Sequence, residues 1–301
     1  MAGGQISLLK QIIRAGERSS EVSIAELRES YATFLNKFPP VEDLQLEPVD
    51  AGGVPAEWID AREPGGAAGE AERRMLYLHG GGFVMGSIVS HRHLVARIAR
   101  ASAARCLAID YRLAPEHPFP AALDDAVAAY RWLLDHHADP ARLVVAGDSA
   151  GAGLAVIAMT VARERGEPLP AALVCISPWT DLEGNSDSLE CNADLDPIVQ
   201  REGLIKMAQL YLDGTDPHHP RVSPLAADLR ALPPTLIQVG GDETLLDDAL
   251  GLAQRAREAG VEVELDVWPE MIHVWHHFAG RLKQGRQAID KIGEFVRRRV
   301  P

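Results

Sequence analysis

Apolar positions change their spacing near residue 45. Before that point Ile6, Leu9, Ile12 and Ile13 recur at helical spacing, and Ile24, Leu27, Tyr31 and Phe34 do so again. A period near 3.6 puts such residues on one face, so two amphipathic helices are predicted. From about residue 46 short apolar runs take over. Met75–Leu78, Cys106–Ile109, Leu143–Ala146, Leu173–Ile176, Leu236–Val239 and Val263–Val267 read as strands. Helical patterns over Ala121–Asp135, Leu154–Arg165 and Asp248–Ala259 fall between them, the last closed by Gly260. Strands alternating with helices predict an α/β fold, a mostly parallel sheet with helices on both faces. Leu46–Val49 and Ala56–Ile59 predict an antiparallel edge. The polar, helical stretch Glu183–Leu212 breaks the alternation. It reads as an insertion that sits over the C-terminal edge of the sheet with the N-terminal helices. Ala61 to Glu72, rich in Gly, Ala and Glu, reads as an exposed loop.

Chemistry enters at the strand ends. Gly147-Asp148-Ser149-Ala150-Gly151 follows one predicted strand and precedes a helix. A serine on a sharp strand-to-helix turn projects its hydroxyl above the sheet, and the crowding demands small neighbours. The helix N-terminus also favours a developing anion. Ser149 is therefore the expected nucleophile. His79-Gly80-Gly81-Gly82-Phe83 follows another strand. Consecutive glycines let backbone amides converge on one point, and Gly81, Gly82 and Ala150 are the expected oxyanion donors. This loop lacks the signatures of a P-loop or a dinucleotide site. His79 is expected to order the loop rather than act as a base, and Gly80 and Asp148 complete the two motifs as supporting residues.

A serine nucleophile needs an acid and a base downstream. Asp242 follows the strand Leu236–Val239 most closely, where α/β folds place their sites, and is the expected acid. Glu243, Asp247 and Asp248 are expected as acids at a helix N-terminus. His273, just after the last strand, is the expected base. His276 and His277 are expected as packing or surface residues. His91-x-His93, His136-His137 and His218-His219 lack ligands at metal-binding spacing and are expected on the surface.

Composition narrows the class. With 301 residues the chain can bury a large core, and 47% hydrophobic with 24% charged residues is ordinary for a globular protein. A formal charge of −13 argues against nucleic-acid binding and against docking on an anionic membrane. Cys106, Cys175 and Cys191 form no disulfide framework, and the first two read as buried thiols. The N-terminal apolar run, broken by Lys10 and Gln11, does not read as a signal peptide, and no stretch has the length of a membrane span. A cytoplasmic location is the expectation.

Taken in order, HGGGF, the run Asp110-Tyr111-Arg112-Leu113-Ala114-Pro115-Glu116-His117-Pro118-Phe119-Pro120-Ala121-Ala122, GDSAG, Ser177-Pro178-Trp179-Thr180-Asp181-Leu182, GGDE and MIHVW resemble the bacterial hormone-sensitive-lipase-like (family IV) esterases. The resemblance runs from about residue 73 to the C-terminus and implies the α/β-hydrolase fold. It also implies a Ser149–Asp242–His273 triad and a cap built from residues 1–45 and 183–215 over a core of 46–182 and 216–301. One departure stands at the acid. Many members carry Asp-Pro-Leu there, where this chain has Asp242-Glu243-Thr244-Leu245-Leu246. Members with this variant are similar to short-chain esterases and monoterpene lactone hydrolases. The implied activity is hydrolysis of short- to medium-chain carboxylic esters or lactones through an acyl-enzyme, with a small-molecule ester as partner and no metal or cofactor. Dimers are common among similar proteins, so a homodimer is compatible with the resemblance. An amidase would share the triad but needs help protonating an amine. A non-catalytic binding protein on this fold would have lost a triad member. Arg112 and Glu116 are expected to hold the region beside the nucleophile and are assigned no chemistry.

Overall fold

The computed structural model describes residues 3–15, 23–61, 73–136 and 139–300. The chain opens with helices α1 (Gly3–Ala15) and α2 (Ile24–Leu35), the second started by a capping box between Ser23 and Glu26. Strands β1 (Gln45–Asp50) and β2 (Pro55–Asp60) form an antiparallel edge. Then follow β3 (Arg73–Leu78), α3 (Ile88–Ser102), β4 (Ala104–Ile109), α4 (Ala121–His136), β5 (Leu143–Asp148), α5 (Ala150–Glu164) and β6 (Ala172–Ile176). Two helices, α6 (Ser188–Cys191) and α7 (Arg201–Leu212), lie in the stretch read as an insertion. β7 (Thr235–Gly240), α8 (Leu246–Glu258), β8 (Val263–Trp268) and α9 (Lys283–Arg299) complete the chain.

The eight strands form one sheet in the order β1-β2-β4-β3-β5-β6-β7-β8, parallel from β4 to β8. Every predicted strand is present. The helices α3 and α9 are not among the elements that the periodicity singled out. The predicted loop beyond Ala61 lies outside the described residues, as does His137.

Alternation within the strands divides the core in two. Leu76, Leu78, Val145 and Ile237 face the layer of α4, α5 and α8, whereas Met75, Tyr77, Val144 and Leu236 face α3 and α9. Residues Ala150 to Ala162 of α5 are all buried, so the helix after Ser149 is gripped on every side. A third cluster joins Ile6 of α1 to Met271, Ile272, Trp275 and Phe278 beside β8. It anchors the N-terminal helix next to the loop that carries His273.

Candidate active site

β5 ends at Asp148, and Ser149 turns the chain into α5 with φ 53° and ψ −122°. A non-glycine residue at positive φ is strained, and such strain persists only where the surroundings over-determine it. Here the Ser149 amide donates to Ile176 O (2.9 Å), and Ser149 O accepts from the Trp179 amide (3.1 Å). The flanks leave no space. A Cβ on Gly147 would lie 2.5 Å from the carbonyl of Gly151, and one on Gly151 would lie 2.1 Å from Leu78 O. Both glycines are dictated by the close approach of α5 to β5 and β3.

The glycine loop sits directly above. Gly81 has φ +117°, and its carbonyl accepts from the Val84 and Met85 amides. The Gly81, Gly82 and Ala150 amides donate to no backbone acceptor among the described residues. Asp148 ties this loop to the turn. Its Oδ1 accepts from the Gly80 amide (3.1 Å) and the Tyr77 hydroxyl (2.8 Å), and its Oδ2 lies 3.4 Å from His91 Nε2. Burial alone would raise the Asp148 carboxyl. The imidazoles of His91 and His277 and the Tyr77 bond outweigh it and hold the group well below the usual carboxylate range.

His79 stacks on Tyr111 with ring centroids 4.2 Å apart, and the Tyr111 hydroxyl donates to His79 O (2.7 Å). Burial lowers the His79 imidazole to about 3. The ring is neutral near pH 7, and its Nδ1 lies 2.8 Å from Gly80 O within the glycine loop.

On the other side of the sheet's C-terminal edge, the structure corrects the acid. Glu243, not Asp242, meets the histidine: His273 Nδ1 lies 3.1 Å from Glu243 Oε2. Glu243 is fully buried, and its Oε1 accepts from the Gly240 amide and the Ser177 hydroxyl, both at 2.7 Å. A buried carboxylate without partners would cost several kcal/mol, and three charge-assisted bonds of roughly 1.5–3 kcal/mol each offset that. Asp242 points away from the site. Its Oδ2 pairs with Lys10 Nζ of α1 at 2.5 Å, and its side chain stays 22% exposed. The reason is local. The Asp242 amide is held by Met271 O and the Glu243 amide by Gly240 O, so the turn sends adjacent side chains in opposite directions. A signal for this register existed. The leucine of an Asp-Pro-Leu run lies two residues after the acid, and Leu245 lies two residues after Glu243.

Burial disfavours the His273 imidazolium. The bond to Glu243, its charge and that of Asp196 outweigh this and raise the pKa above the ordinary 6.5. The residue after it, Val274, takes φ 43°, a strained conformation for a β-branched side chain, and its amide donates to Ser177 Oγ (3.2 Å). Ser177, itself at φ 45°, thus links Glu243 to the His273 loop, a role the sequence did not suggest.

Other expectations also change. His91 and His93 are buried, at 1% and 7% exposure, rather than on the surface. His91, Asp148 and His277 bring nitrogen and oxygen atoms within 4.8 Å of one another, the set that could hold a metal ion among the described residues. Only tertiary contact reveals it, since His91 and His277 stand far apart in the chain. His276, bonded through Nε2 to Gln238 Oε1 (2.8 Å), is lowered to about 3 by burial. Glu116 is bound by Arg28 of α2, and Arg28 also donates to Val84 O and Ala114 O, so this helix is fastened to the glycine loop. Arg112 pairs with Asp125. Cys106 and Cys175 are buried, and burial pushes the Cys175 thiol up to about 12.

The ceiling over the glycine loop comes from α7. Phe83 stacks on Tyr211 at 3.8 Å, and a Cβ on Gly82 would lie 2.1 Å from Met207 Sδ. No helix among the described residues is long and apolar enough to cross a membrane.

A model of the alpha/beta hydrolase fold matches residues 75–277. An acetyl-hydrolase of Streptomyces hygroscopicus is 44% identical over 99% of this chain and 97% of its own. An esterase of Acinetobacter venetianus is 35% identical over 96% and 94%. The crystal structure of an esterase from the bacterial hormone-sensitive lipase family superposes with a TM-score of 0.94 at 49% identity, covering 99% of both chains.

Proposed function

Because the chain belongs to the α/β-hydrolase family and, within it, to the bacterial hormone-sensitive-lipase-like esterases, we propose that it cleaves short- to medium-chain carboxylic esters with Ser149 as nucleophile, His273 as base and Glu243 as acid. That the enzyme is an esterase follows from its relatives. One observation carries the triad: the bond between Glu243 and His273 Nδ1, on loops at the same sheet edge as Ser149.

The bond commits Nδ1–H to Glu243 and leaves Nε2 to take the Ser149 proton as the hydroxyl attacks an ester carbonyl. The imidazolium that forms is stabilised by Glu243. The Gly81, Gly82 and Ala150 amides, which have no backbone acceptor among the described residues, receive the tetrahedral oxyanion; one such donor is typically worth about 10²–10³ in kcat. His273 then protonates the leaving alcohol. Water repeats the sequence on the acyl-enzyme and frees the acid. None of these steps calls on a metal or cofactor.

The low ceiling of Met207, Phe83 and Tyr211 favours short acyl groups. The net charge of −13 disfavours docking on an anionic lipid interface. A panel of nitrophenyl esters of rising acyl length tests this, beside a matched anilide and an emulsified triglyceride. Acetate and butyrate esters should turn over fastest and Ser149→Ala should abolish turnover. Faster hydrolysis of the emulsion, or of the anilide, would overturn the substrate class.

A further inference from the structure

The turn that carries Glu243 is held from outside the strand and helix it joins. Asn192 Nδ2 donates to the carbonyls of Gly241 (3.3 Å) and Glu243 (2.7 Å). Ser188 Oγ donates to Thr244 O (2.7 Å), and Thr244 Oγ1 donates to Val199 O (3.2 Å). All these partners come from the stretch between β6 and α7. The same stretch supplies one further charged group to the turn. Asp196 is fully buried; its Oδ1 accepts from the Ile198 amide (2.9 Å) and its Oδ2 from the Thr244 amide (3.2 Å), next in chain to Glu243.

Asp196 has no cation paired with it among the described residues, yet it interacts electrostatically with both Glu243 and His273. Burial pushes its carboxyl up to about 6. A buried carboxyl in such a place is costly, and holding backbone amides does not require a charge. A negative charge near an imidazole that becomes cationic in the transition state does give a return, because that interaction strengthens only as the reaction proceeds.

We propose that Asp196 is a positioning residue of the acid–base pair: it holds the Glu243 turn through the Thr244 amide, and its negative charge supports the imidazolium that His273 becomes during turnover. This rests on the reading of Glu243 and His273 as acid and base. The groups facing His273 are Glu243 from the turn after β7, Asp148 from the end of β5, His276 from its own loop and Asp196. Asp148 is already engaged by Tyr77, Gly80 and His91, and His276 stays neutral near pH 7, so Asp196 is the carboxylate left to act beside Glu243.

The test compares pH profiles of kcat and kcat/KM on a soluble short-chain ester for Asp196→Asn, Asp196→Ser, Ser188→Ala and Glu243→Gln, each checked for folding by circular dichroism. Asp196→Asn should lower kcat about tenfold, the equivalent of one pKa unit of lost interaction, with KM within about twofold. Its acid limb should move to lower pH, because a negative charge beside the imidazolium is gone. Asp196→Ser should move the limb the same way, which covers failure of the first variant to fold. Ser188→Ala loosens the same turn without altering charge and should lower kcat with the limb unmoved. The proposal is overturned if Glu243→Gln cripples the enzyme while the Asp196 variants keep the wild-type limb, or if Ser188→Ala moves it equally. If Glu243→Gln is fully active, the acid–base reading fails, and the proposal with it.

Discussion

The two halves of the site are built on different principles. On the Ser149 side, geometry is imposed by backbone packed on backbone: Gly147 and Gly151 admit no side chain, Ser149 is held at positive φ, and Asp148 fastens the glycine loop to the turn. On the side of Glu243 and His273, geometry depends on side chains from remote segments. Ser177, Asn192 and Asp196 converge on a turn whose two adjacent carboxylates face opposite ways. The first half is rigid by steric exclusion. The second is assembled from side-chain hydrogen bonds, some to carbonyls and some to the buried carboxyls of Glu243 and Asp196.

The largest expected effect separates those adjacent carboxylates. Glu243→Gln should lower kcat by about 10²–10⁴ with little change in KM, since the imidazole loses its orienting charge. Asp242→Asn should leave kcat within about threefold, since it breaks only a partly covered pair with Lys10 outside the His273 contact. Steady-state kinetics decides it, and the reverse ranking would restore Asp242 as the acid. Next in size, Gly81→Ala should lower kcat about 10–10³-fold, because φ +117° is denied to alanine and the loop amides turn aside. An active Gly81→Ala variant would mean that the nucleophile side is softer than its packing suggests.

The pH profile compares the halves through one group. His273 must be neutral to accept a proton, and its pKa is raised, so kcat/KM should rise with pH through a midpoint above 6.5. In Glu243→Gln any residual rate should rise through a lower midpoint. The same raised pKa adds stability at low pH, and that contribution is lost as pH climbs through the folded-state value. A midpoint below 6 in the wild type would contradict the Glu243 contact.

The smallest effect is at the latch between α1 and the acid turn. Lys10→Ala should lower stability by about 1 kcal/mol, read as a small drop in Tm, and the loss should shrink in high salt. A large loss of activity in that variant would show that the N-terminal helix positions the acid.

What could be read in advance follows the same division. The strands and the two glycine motifs were legible, because alternation and tight turns are local properties of adjacent residues. The choice between Asp242 and Glu243 had one local signal, the spacing to Leu245, but it is decided by which carbonyls hold the turn, Met271 O and Gly240 O, one of them on the neighbouring loop. His91 and His93 read as surface histidines because their partners, Asp148 and His277, lie far along the chain. α3 was missed although Ser87 and Ser90 cap it, since its apolar face is interrupted by His91 and His93, which are themselves buried.

The most direct measurement is intact-protein and peptide mass spectrometry after reaction with a fluorophosphonate, with a short-chain ester assay run in parallel. One equivalent of label on Ser149, with ester turnover lost in proportion to labelling, is the expected result. Full turnover in a protein whose Ser149 is labelled, or label carried by another residue as activity disappears, would contradict the account.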